Sequence, residues 1–188
     1  MKVYMDWEFI EDGVTIKPIS VGMVSSDGRE YYAVFRDMPV KRISKDDWLM
    51  ANVVSGLPRL YGEARQAAWR SNRLGLDWSD PAIKPHDQIR DEVKSFILGD
   101  HSDMLPAVEL WADYGAYDHV CLAQLFGRMI DLPEGMPMFT NDVQQEASRL
   151  GLSDKELPQQ PDGLHNALAD ARHVKVVAEF LRNFADAA

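Results

Sequence analysis

Acidic residues in this chain occupy positions where the surrounding hydrophobic pattern predicts buried side chains. Asp6 and Glu8 lie on one face of a predicted strand, because successive strand side chains alternate between the two faces. Asp118 and Asp170 each begin an apolar stripe on a predicted helix. Buried carboxylates without cations lose hydration and repel one another. A fold that gathers these four acids therefore requires bound divalent metal.

Both helical stripes continue from the acid through apolar residues spaced three or four positions apart. The stripe residues are Leu122, Leu125 and Met129 after Asp118, and Val174, Val177, Leu181 and Phe184 after Asp170. His165 precedes the second helix in a predicted loop. Histidine is the side chain most often used as a general base near neutral pH, so the position of His165 beside the acids indicates hydrolysis. The alternatives are an ordinary helix-start acid at both helices and a polar strand edge at Asp6 and Glu8.

The composition predicts one globular domain over residues 1–188, with a loop or helix insertion around residues 55–85. Of the 188 residues, 46% are hydrophobic and 27% are charged, which is typical of a folded domain with a sizeable core. The single cysteine, Cys121, excludes an internal disulfide framework. No apolar stretch reaches the roughly 20 residues that cross a bilayer, and the first residues lack a signal-peptide layout. We therefore expect a soluble cytoplasmic protein with no membrane partner.

The net charge of −10 restricts how this chain can hold a polyanion. Broad electrostatic binding of nucleic acid depends on many Lys and Arg side chains at the phosphates. We therefore expect any nucleic acid to be bound locally, with metal ions supplying the positive charge at the phosphate.

The order of the predicted elements indicates an α/β fold with a mixed sheet. The chain opens with an antiparallel meander, and residues 26–28 form the turn between its second and third strands. Strands and helices then alternate, which favours a sheet of five to six strands flanked by helices. The predicted strands are Lys2–Glu8, Thr15–Ser25, Glu30–Phe35, Val108–Ala112 and Phe139–Asn141. The predicted helices are Trp48–Val54, His86–Leu98, Asp118–Met129, Val143–Leu150 and Asn166–Phe184.

Three segments resemble the motifs of a nuclease family. In chain order they are Asp6-Trp7-Glu8-Phe9, Gly115-Ala116-Tyr117-Asp118-His119 and His165-Asn166-Ala167-Leu168-Ala169-Asp170-Ala171-Arg172. Together they resemble the DEDDh 3′–5′ exonucleases. The branch of small bacterial and phage exoribonucleases that includes a mycobacterial enzyme is most similar over three longer segments, Asp6–Gly13, Gly28–Ala33 and Leu110–Val120. The resemblance covers most of the chain and is weakest over residues 55–85. Trp7 departs from the family, where a small residue such as Thr is more common. Because Trp7 points away from the acids, we expect altered packing and retained chemistry.

The resemblance implies an RNase H-like fold and the release of nucleoside 5′-monophosphates from the 3′ end of single-stranded or 3′-overhanging RNA. It also implies two Mg²⁺ ions, for which Mn²⁺ can substitute. Asp6 would bridge the two ions, Glu8 and Asp170 would complete the more tightly held one, and Asp118 would support the second. His165 would deprotonate the attacking water. These five residues form the predicted catalytic set.

Two further residues are predicted to bind substrate. Phe9 lies next to the metal ligands and would stack on or wedge against the terminal base; its alternative is core packing. His119 follows a catalytic acid, and its alternative is a helix-capping or core role. Asp113 ends a predicted strand near the site, and it rivals Asp118 for the role of the second-motif acid.

Other sequence features leave alternatives open. Arginines in the insertion either guide the RNA strand or form a solvated helix face; they are Arg59, Arg65, Arg70 and Arg73. Tryptophans outside the motifs are expected to be core or interface anchors; they are Trp48, Trp69, Trp78 and Trp111.

Three questions about function stay open at this point. A DNA-directed proofreading or repair exonuclease would use the same chemistry. A catalytically silent nucleic-acid-binding module would keep the fold alone. A homodimer is an alternative to a monomer, because relatives in the superfamily are often dimers.

Overall fold

A six-stranded mixed sheet runs through the described part of the chain, which in this computed structural model comprises residues 1–71, 74–99 and 108–187. The strands are β1 (Lys2–Glu11), β2 (Ile16–Ser25), β3 (Glu30–Phe35), β4 (Ile83–Lys84), β5 (Glu109–Ala112) and β6 (Asn141–Asp142). Their spatial order is β4-β3-β2-β1-β5-β6. The prediction of an RNase H-like α/β fold with a sheet of five to six strands is confirmed.

Helices flank this sheet in the described residues. They are α1 (Val40–Ile43), α2 (Asp47–Asn52), α3 (Gly62–Arg70), α4 (His86–Leu98), α5 (Ala116–Phe126), α6 (Val143–Arg149) and α7 (Ala167–Ala187). Two short 3₁₀ turns lie at Val54–Gly56 and Met129–Asp131. None of the helices in the described ranges is long and apolar enough to cross a membrane.

The first three strands form the antiparallel meander predicted from the sequence. β1 pairs with β2, and β2 pairs with β3. The turn at residues 26–28 contains Gly28 with φ of 91°, a conformation that suits glycine because it has no Cβ. On its other side β1 pairs in parallel with β5. β1 therefore joins the antiparallel and parallel parts of the sheet.

The β1–β2 ladder contains a bulge directly after Glu8. Glu8 pairs with Ser20 whereas Phe9 pairs with Pro18, so Ile19 is an extra residue in β2. Proline has no N–H to donate to a ladder and is tolerated in sheets mainly at edges and bulges. The regular pairing is therefore interrupted between Glu8 and Phe9.

The two faces of the sheet pack in separate hydrophobic clusters. Val3, Met5 and Trp7 belong to the larger cluster, which also contains side chains of α4 and α5. Tyr4 belongs to the smaller cluster, with side chains of α6 and α7. Because strand side chains alternate, Asp6 and Glu8 share the face of Tyr4, and α7 packs on this part of the sheet.

Several predicted boundaries were wrong. The insertion at residues 55–85, predicted as loop or helix, contains helix α3 and also strand β4, which was not predicted. Helix α5 ends at Phe126, three residues before the predicted end, and Gly127 follows it with φ of 110°. Met129, the last residue of the predicted apolar stripe, is consequently 49% exposed.

Candidate metal centre and active site

Three carboxylates meet where β1 faces the beginning of α7. Asp6 and Glu8 project from β1, and Asp170 lies in the first turn of α7. One carboxylate oxygen from each residue lies within 4.8 Å of the others. We call these residues the acidic triad. The fold thus brings together residues that are separated by more than 160 positions in the sequence.

Gly22 allows α7 to approach the sheet at the triad. It is the β2 partner of Asp6. A Cβ at position 22 would lie only 2.2 Å from the backbone carbonyl of Ala167, the first residue of α7. The absence of a side chain therefore permits direct backbone packing, which sets the distance between Asp170 and the two acids of β1. No local sequence pattern indicates this role of Gly22, because the role depends on a contact between distant segments.

The electrostatics of the triad favour a bound cation. Burial, and then the charges of Asp118, Glu8 and Asp170, raise the pKa of Asp6 well above its usual value. Burial and the neighbouring acids also raise the pKa of Glu8 to about 7. An oxygen-only donor set with this much mutual repulsion fits a hard divalent cation such as Mg²⁺ or Mn²⁺. A cation would replace the protons that these groups otherwise retain.

Asp118 lies in the first turn of α5 and is only 5% exposed. The backbone N–H of Trp7, between the two β1 acids, donates a hydrogen bond of 2.8 Å to its Oδ1. Burial raises the pKa of Asp118 to about 7, although this hydrogen bond acts in the opposite direction. The fold therefore places a fourth buried carboxylate directly beside the triad.

The start of α5 is held in place by Asp142 at the end of β6. The Asp142 Oδ2 atom accepts a 2.7 Å hydrogen bond from the backbone N–H of Gly115, the N-cap of α5. Its Oδ1 atom caps α6 by accepting from the N–H groups of Gln144 and Gln145. One carboxylate thus joins the first turns of two helices, and one of these turns carries Asp118.

Asp113 lines the same cavity at the end of β5. Burial raises its pKa, while a hydrogen bond from the Gln144 side chain lowers it. Its buried Oδ1 has no hydrogen-bond partner in the described ranges. Both rivals for the second-motif role therefore reach the cavity, but only Asp118 is fixed by the backbone of β1.

His165 lies in the loop before α7 and lines the same cavity. Its φ of 62° falls in the left-handed region, which is uncommon for a residue with a side chain. Its backbone N–H donates to the Asp170 carboxylate, and Gln160 Nε2 donates to Asp170 Oδ1 at 2.7 Å. The His165 backbone is thereby tied to one member of the triad.

The cavity has a volume of about 600 Å³. Phe9 forms part of its wall and stacks on Tyr117 with a centroid distance of 5.6 Å and an interplanar angle of 16°. Trp48 also lines the cavity and is 53% exposed, so it is not a core residue, and its expected alternative of an interface anchor stays a prediction. The aromatic wall is compatible with a nucleobase, and base contact by Phe9 stays a prediction.

His119 lies outside the residues that line this cavity. Its Nδ1 is 3.0 Å from Thr140 Oγ1, and burial lowers its pKa. This placement fits the alternative of a packing role next to α5. Substrate contact by His119 stays a prediction with no geometric support in the described residues.

The arginines of the insertion lie elsewhere. Arg59 forms an isolated bridge with Leu76, and Arg65 and Arg70 belong to α3. None of these three lines the cavity, and Arg73 lies outside the described residues. Their role in guiding a strand stays a prediction.

Comparison with known proteins identifies the family. The sequence matches the family model of the 3′-5′ exoribonuclease Rv2179c-like domain over residues 1–181. The chain belongs to this family. Two similar proteins of Mycobacterium tuberculosis are the 3′-5′ exoribonuclease Rv2179c of strain ATCC 25618 / H37Rv and the 3′-5′ exoribonuclease MT2234.1 of strain CDC 1551 / Oshkosh. Each is 40% identical over 172 residues, which cover 92% of this chain and 88% of the relative.

The family match covers every residue of the acidic triad, Asp118 and His165. The resemblance to small exoribonucleases, inferred from three short motifs, is thereby confirmed. Membership in the Rv2179c-like family gives the cavity a chemical context that its geometry alone does not supply.

Proposed function

We propose that this protein is a metal-dependent 3′–5′ exoribonuclease of the DEDDh type, which releases nucleoside 5′-monophosphates from single-stranded or 3′-overhanging RNA. The observation that carries the proposal is the meeting of the acidic triad with Asp118 and His165 in one cavity. The names of the two relatives support RNA as the substrate.

The carboxylates would hold two divalent ions, Mg²⁺ with Mn²⁺ as a substitute. Asp6, Glu8 and Asp170 offer oxygens close enough to share one ion. Asp6 and Asp118 would hold the second ion. Among the neighbouring acids, Asp118 raises the pKa of Asp6 the most. When bound, such ions stabilise negative charge on the attacking and leaving oxygens of a displacement at phosphorus.

His165 would be the general base. One ring nitrogen accepts a proton from the attacking water as the new phosphorus–oxygen bond forms. The bond to the 3′-oxygen of the preceding nucleotide breaks, and that oxygen leaves with a proton from solvent. The backbone tie between His165 and Asp170 keeps the base next to the metal ligands.

The shape of the cavity favours a chain end over an internal RNA segment. A volume of about 600 Å³ holds only a short piece of RNA, and Phe9 with Tyr117 offers a flat aromatic surface at its wall. The net charge of −10 disfavours long contacts along the phosphate backbone. The protein would therefore grip the terminal nucleotides alone. A homodimer and a cytoplasmic location stay predictions.

A comparison of matched oligonucleotides tests the proposal. RNA and DNA of identical sequence, labelled at the 5′ end, are incubated with the protein in Mg²⁺, in Mn²⁺ and in excess chelator. We expect a ladder of RNA shortened one nucleotide at a time, mononucleotide 5′-phosphates as the product, and no reaction with chelator.

Each contrary result is informative. Faster degradation of the DNA than of the RNA would show that DNA is the preferred substrate. A product with a 3′-phosphate would contradict the proposed displacement. Binding of RNA without any cleavage would leave only the silent-module alternative. A 3′-phosphate on the substrate should block the reaction if the enzyme requires a free 3′ end.

A further inference from the structure

The His165 imidazole is held in the cavity without a hydrogen bond. In many catalytic sites a carboxylate or carbonyl orients the base through its second ring nitrogen. Neither ring nitrogen of His165 hydrogen-bonds to any residue in the described ranges, and its backbone φ of 62° is unusual. The electrostatic interaction between His165 and Asp170 does not fix the plane of the ring, so a further contact is needed to select its orientation.

Trp48 provides a contact of this kind. Its ring lies 4.7 Å from the His165 ring, centroid to centroid, at an interplanar angle of 74°. This edge-to-face arrangement is a favourable geometry for aromatic rings, because the positive edge of one ring meets the negative face of the other. It constrains the plane of the imidazole without a hydrogen bond to either ring nitrogen.

The position of Trp48 is itself well defined. Asp46 caps α2 by accepting a 2.9 Å hydrogen bond from the N–H of Leu49, and the Leu49 side chain is buried. The N-cap at Asp46 and the buried Leu49 side chain therefore hold helix α2 in place on both sides of Trp48. The Trp48 indole itself is 53% exposed. Packing alone does not account for a large aromatic side chain left at the cavity wall.

A second contact joins the same two segments. Asn166, which follows His165, donates a 3.3 Å hydrogen bond from Nδ2 to the carbonyl of Gly56. Gly56 ends the 3₁₀ turn that follows α2. The segment from Trp48 to Gly56 therefore supports both the side chain and the backbone of the His165 loop.

We infer that Trp48 is a positioning residue that holds the His165 imidazole in its catalytic orientation. This inference rests on the proposed function, in which His165 is the base. Trp48 acts through the plane of the ring and takes no proton. Loss of the indole would lower the fraction of enzyme with a correctly oriented base, and so would reduce kcat more than it raises KM.

The test compares Trp48→Ala, Trp48→Leu and Trp48→Phe for kcat and KM on a short RNA. We expect kcat to fall about 2- to 12-fold in the Ala and Leu variants, the factor that corresponds to about 0.5–1.5 kcal/mol for an edge-to-face pair. Phenylalanine should restore most of the loss. Trp69→Ala is the control, because Trp69 is 50% exposed and lies on α3, outside the residues that line the cavity.

A double-mutant cycle separates positioning from other roles. In the His165→Ala background, measured under single-turnover conditions, Trp48→Ala should have no further effect on the rate. An equal loss in both backgrounds would overturn the inference, as would a rise in KM with unchanged kcat, which would make Trp48 a stacking surface for substrate. If the unmodified protein cleaved no RNA at all, the proposed function itself would fail, so the two failures are distinguishable.

Discussion

His165 and the four acids have different proposed roles in catalysis, so substitutions at these residues should change the kinetics of the enzyme in different ways. The acids supply negative oxygens for cations, whereas His165 supplies a proton acceptor next to them. Removal of an acid should change the dependence of the rate on metal concentration. Removal of the histidine should change the rate at every metal concentration.

Substitution of His165 by alanine tests the assignment of the general base. General-base catalysis contributes about 10²- to 10⁴-fold, and we expect a loss of kcat of that size. Binding of Mn²⁺, measured by calorimetry, should stay close to that of the unmodified protein. His86→Ala is the matched control, because His86 packs near Phe35 and does not line the cavity. An unchanged kcat in His165→Ala would remove the residue from the mechanism.

A pair of isosteric substitutions decides between Asp118 and Asp113. Asp118→Asn replaces a buried acid fixed to the Trp7 backbone, and we expect activity to fall at least about 10- to 100-fold. Asp113→Asn should be much milder, because Asp113 is held by Gln144 at the margin of the site. Cleavage rates over a range of Mg²⁺ concentrations measure both effects. The reverse ranking would assign the second-motif role to Asp113.

The position of a site residue was predictable from the sequence where it depends on spacing within one strand or helix. Asp6 and Glu8 share a face through strand alternation, and His165 precedes a helix that begins close to Asp170. The core alternative for Trp48 was wrong, because the exposure of a tryptophan depends on which elements cover it. Gly22 gave no signal, because its role is a contact with Ala167, 145 positions away.

At the scale of elements, the approach of α7 to β2 sets the geometry of the triad. Gly22→Ala would insert a methyl group 2.2 Å from the Ala167 backbone, and backbone cannot yield as a flexible side chain does. We expect a loss of about 1–3 kcal/mol in the free energy of unfolding, and a displacement of Asp170 from Asp6 and Glu8. Urea unfolding and the Mg²⁺ concentration for half-maximal activity measure the two effects.

Gly56→Ala is the control for this substitution. A Cβ at Gly56 would lie 3.7 Å from Asn166, the residue before α7, which is an ordinary packing distance. It should therefore leave both the stability and the metal dependence nearly unchanged. Equal effects of the two substitutions would show that the close approach at Gly22 has no special importance.

The elements that the sequence predicted share a strong apolar pattern. Helix α4 was predicted with its observed limits because Ile89, Val93 and Ile97 repeat at helical spacing. The insertion was predicted only as loop or helix, without bounds for helix α3, because α3 buries only Ala68 and so has no apolar stripe. Strand β4 is only two residues long, so its pairing with β3 leaves no periodic signal. Weakly buried and very short elements take their structure from the rest of the fold.

At the scale of the whole molecule, the acidic site should make stability depend on pH in an unusual direction. In the metal-free protein, the pKa of Glu8 rises from 4.5 to about 7 and that of Asp118 from 3.8 to about 7. The folded state therefore retains protons that the unfolded state releases, and the free energy of unfolding falls as the pH rises through this range. We expect the Tm in chelator to be about 10–20 °C lower at pH 7.5 than at pH 5.

Two further experiments test whether the acidic site causes this dependence of the Tm on pH. Saturating Mg²⁺ at pH 7.5 should raise the Tm, because a ligand that binds only the folded state stabilises it. Glu8→Gln removes one titrating group and should reduce the difference between the two pH values. A Tm in chelator that increases from pH 5 to pH 7.5 would contradict the raised pKa values of these acids.

The negative net charge of the protein is compatible with RNA as a substrate if metal ions supply the positive charge at the site. A net charge of −10 does not favour binding of nucleic acid, but the proposed metal ions would attract phosphate at the cavity alone. The acids scattered over the surface would then repel long or internal segments of RNA. Cleavage of short RNA should accordingly be less sensitive to added monovalent salt than binding by a basic nucleic-acid-binding protein.

Crystals grown with Mn²⁺ would show whether the acidic triad is a metal site. Anomalous scattering at the manganese edge reports the position of each ion independently of any assumed mechanism. We expect a strong peak coordinated by the carboxylates of Asp6, Glu8 and Asp170, with a second peak between Asp6 and Asp118. An active, Mn²⁺-dependent enzyme with no anomalous peak at these carboxylates would contradict the proposed metal site.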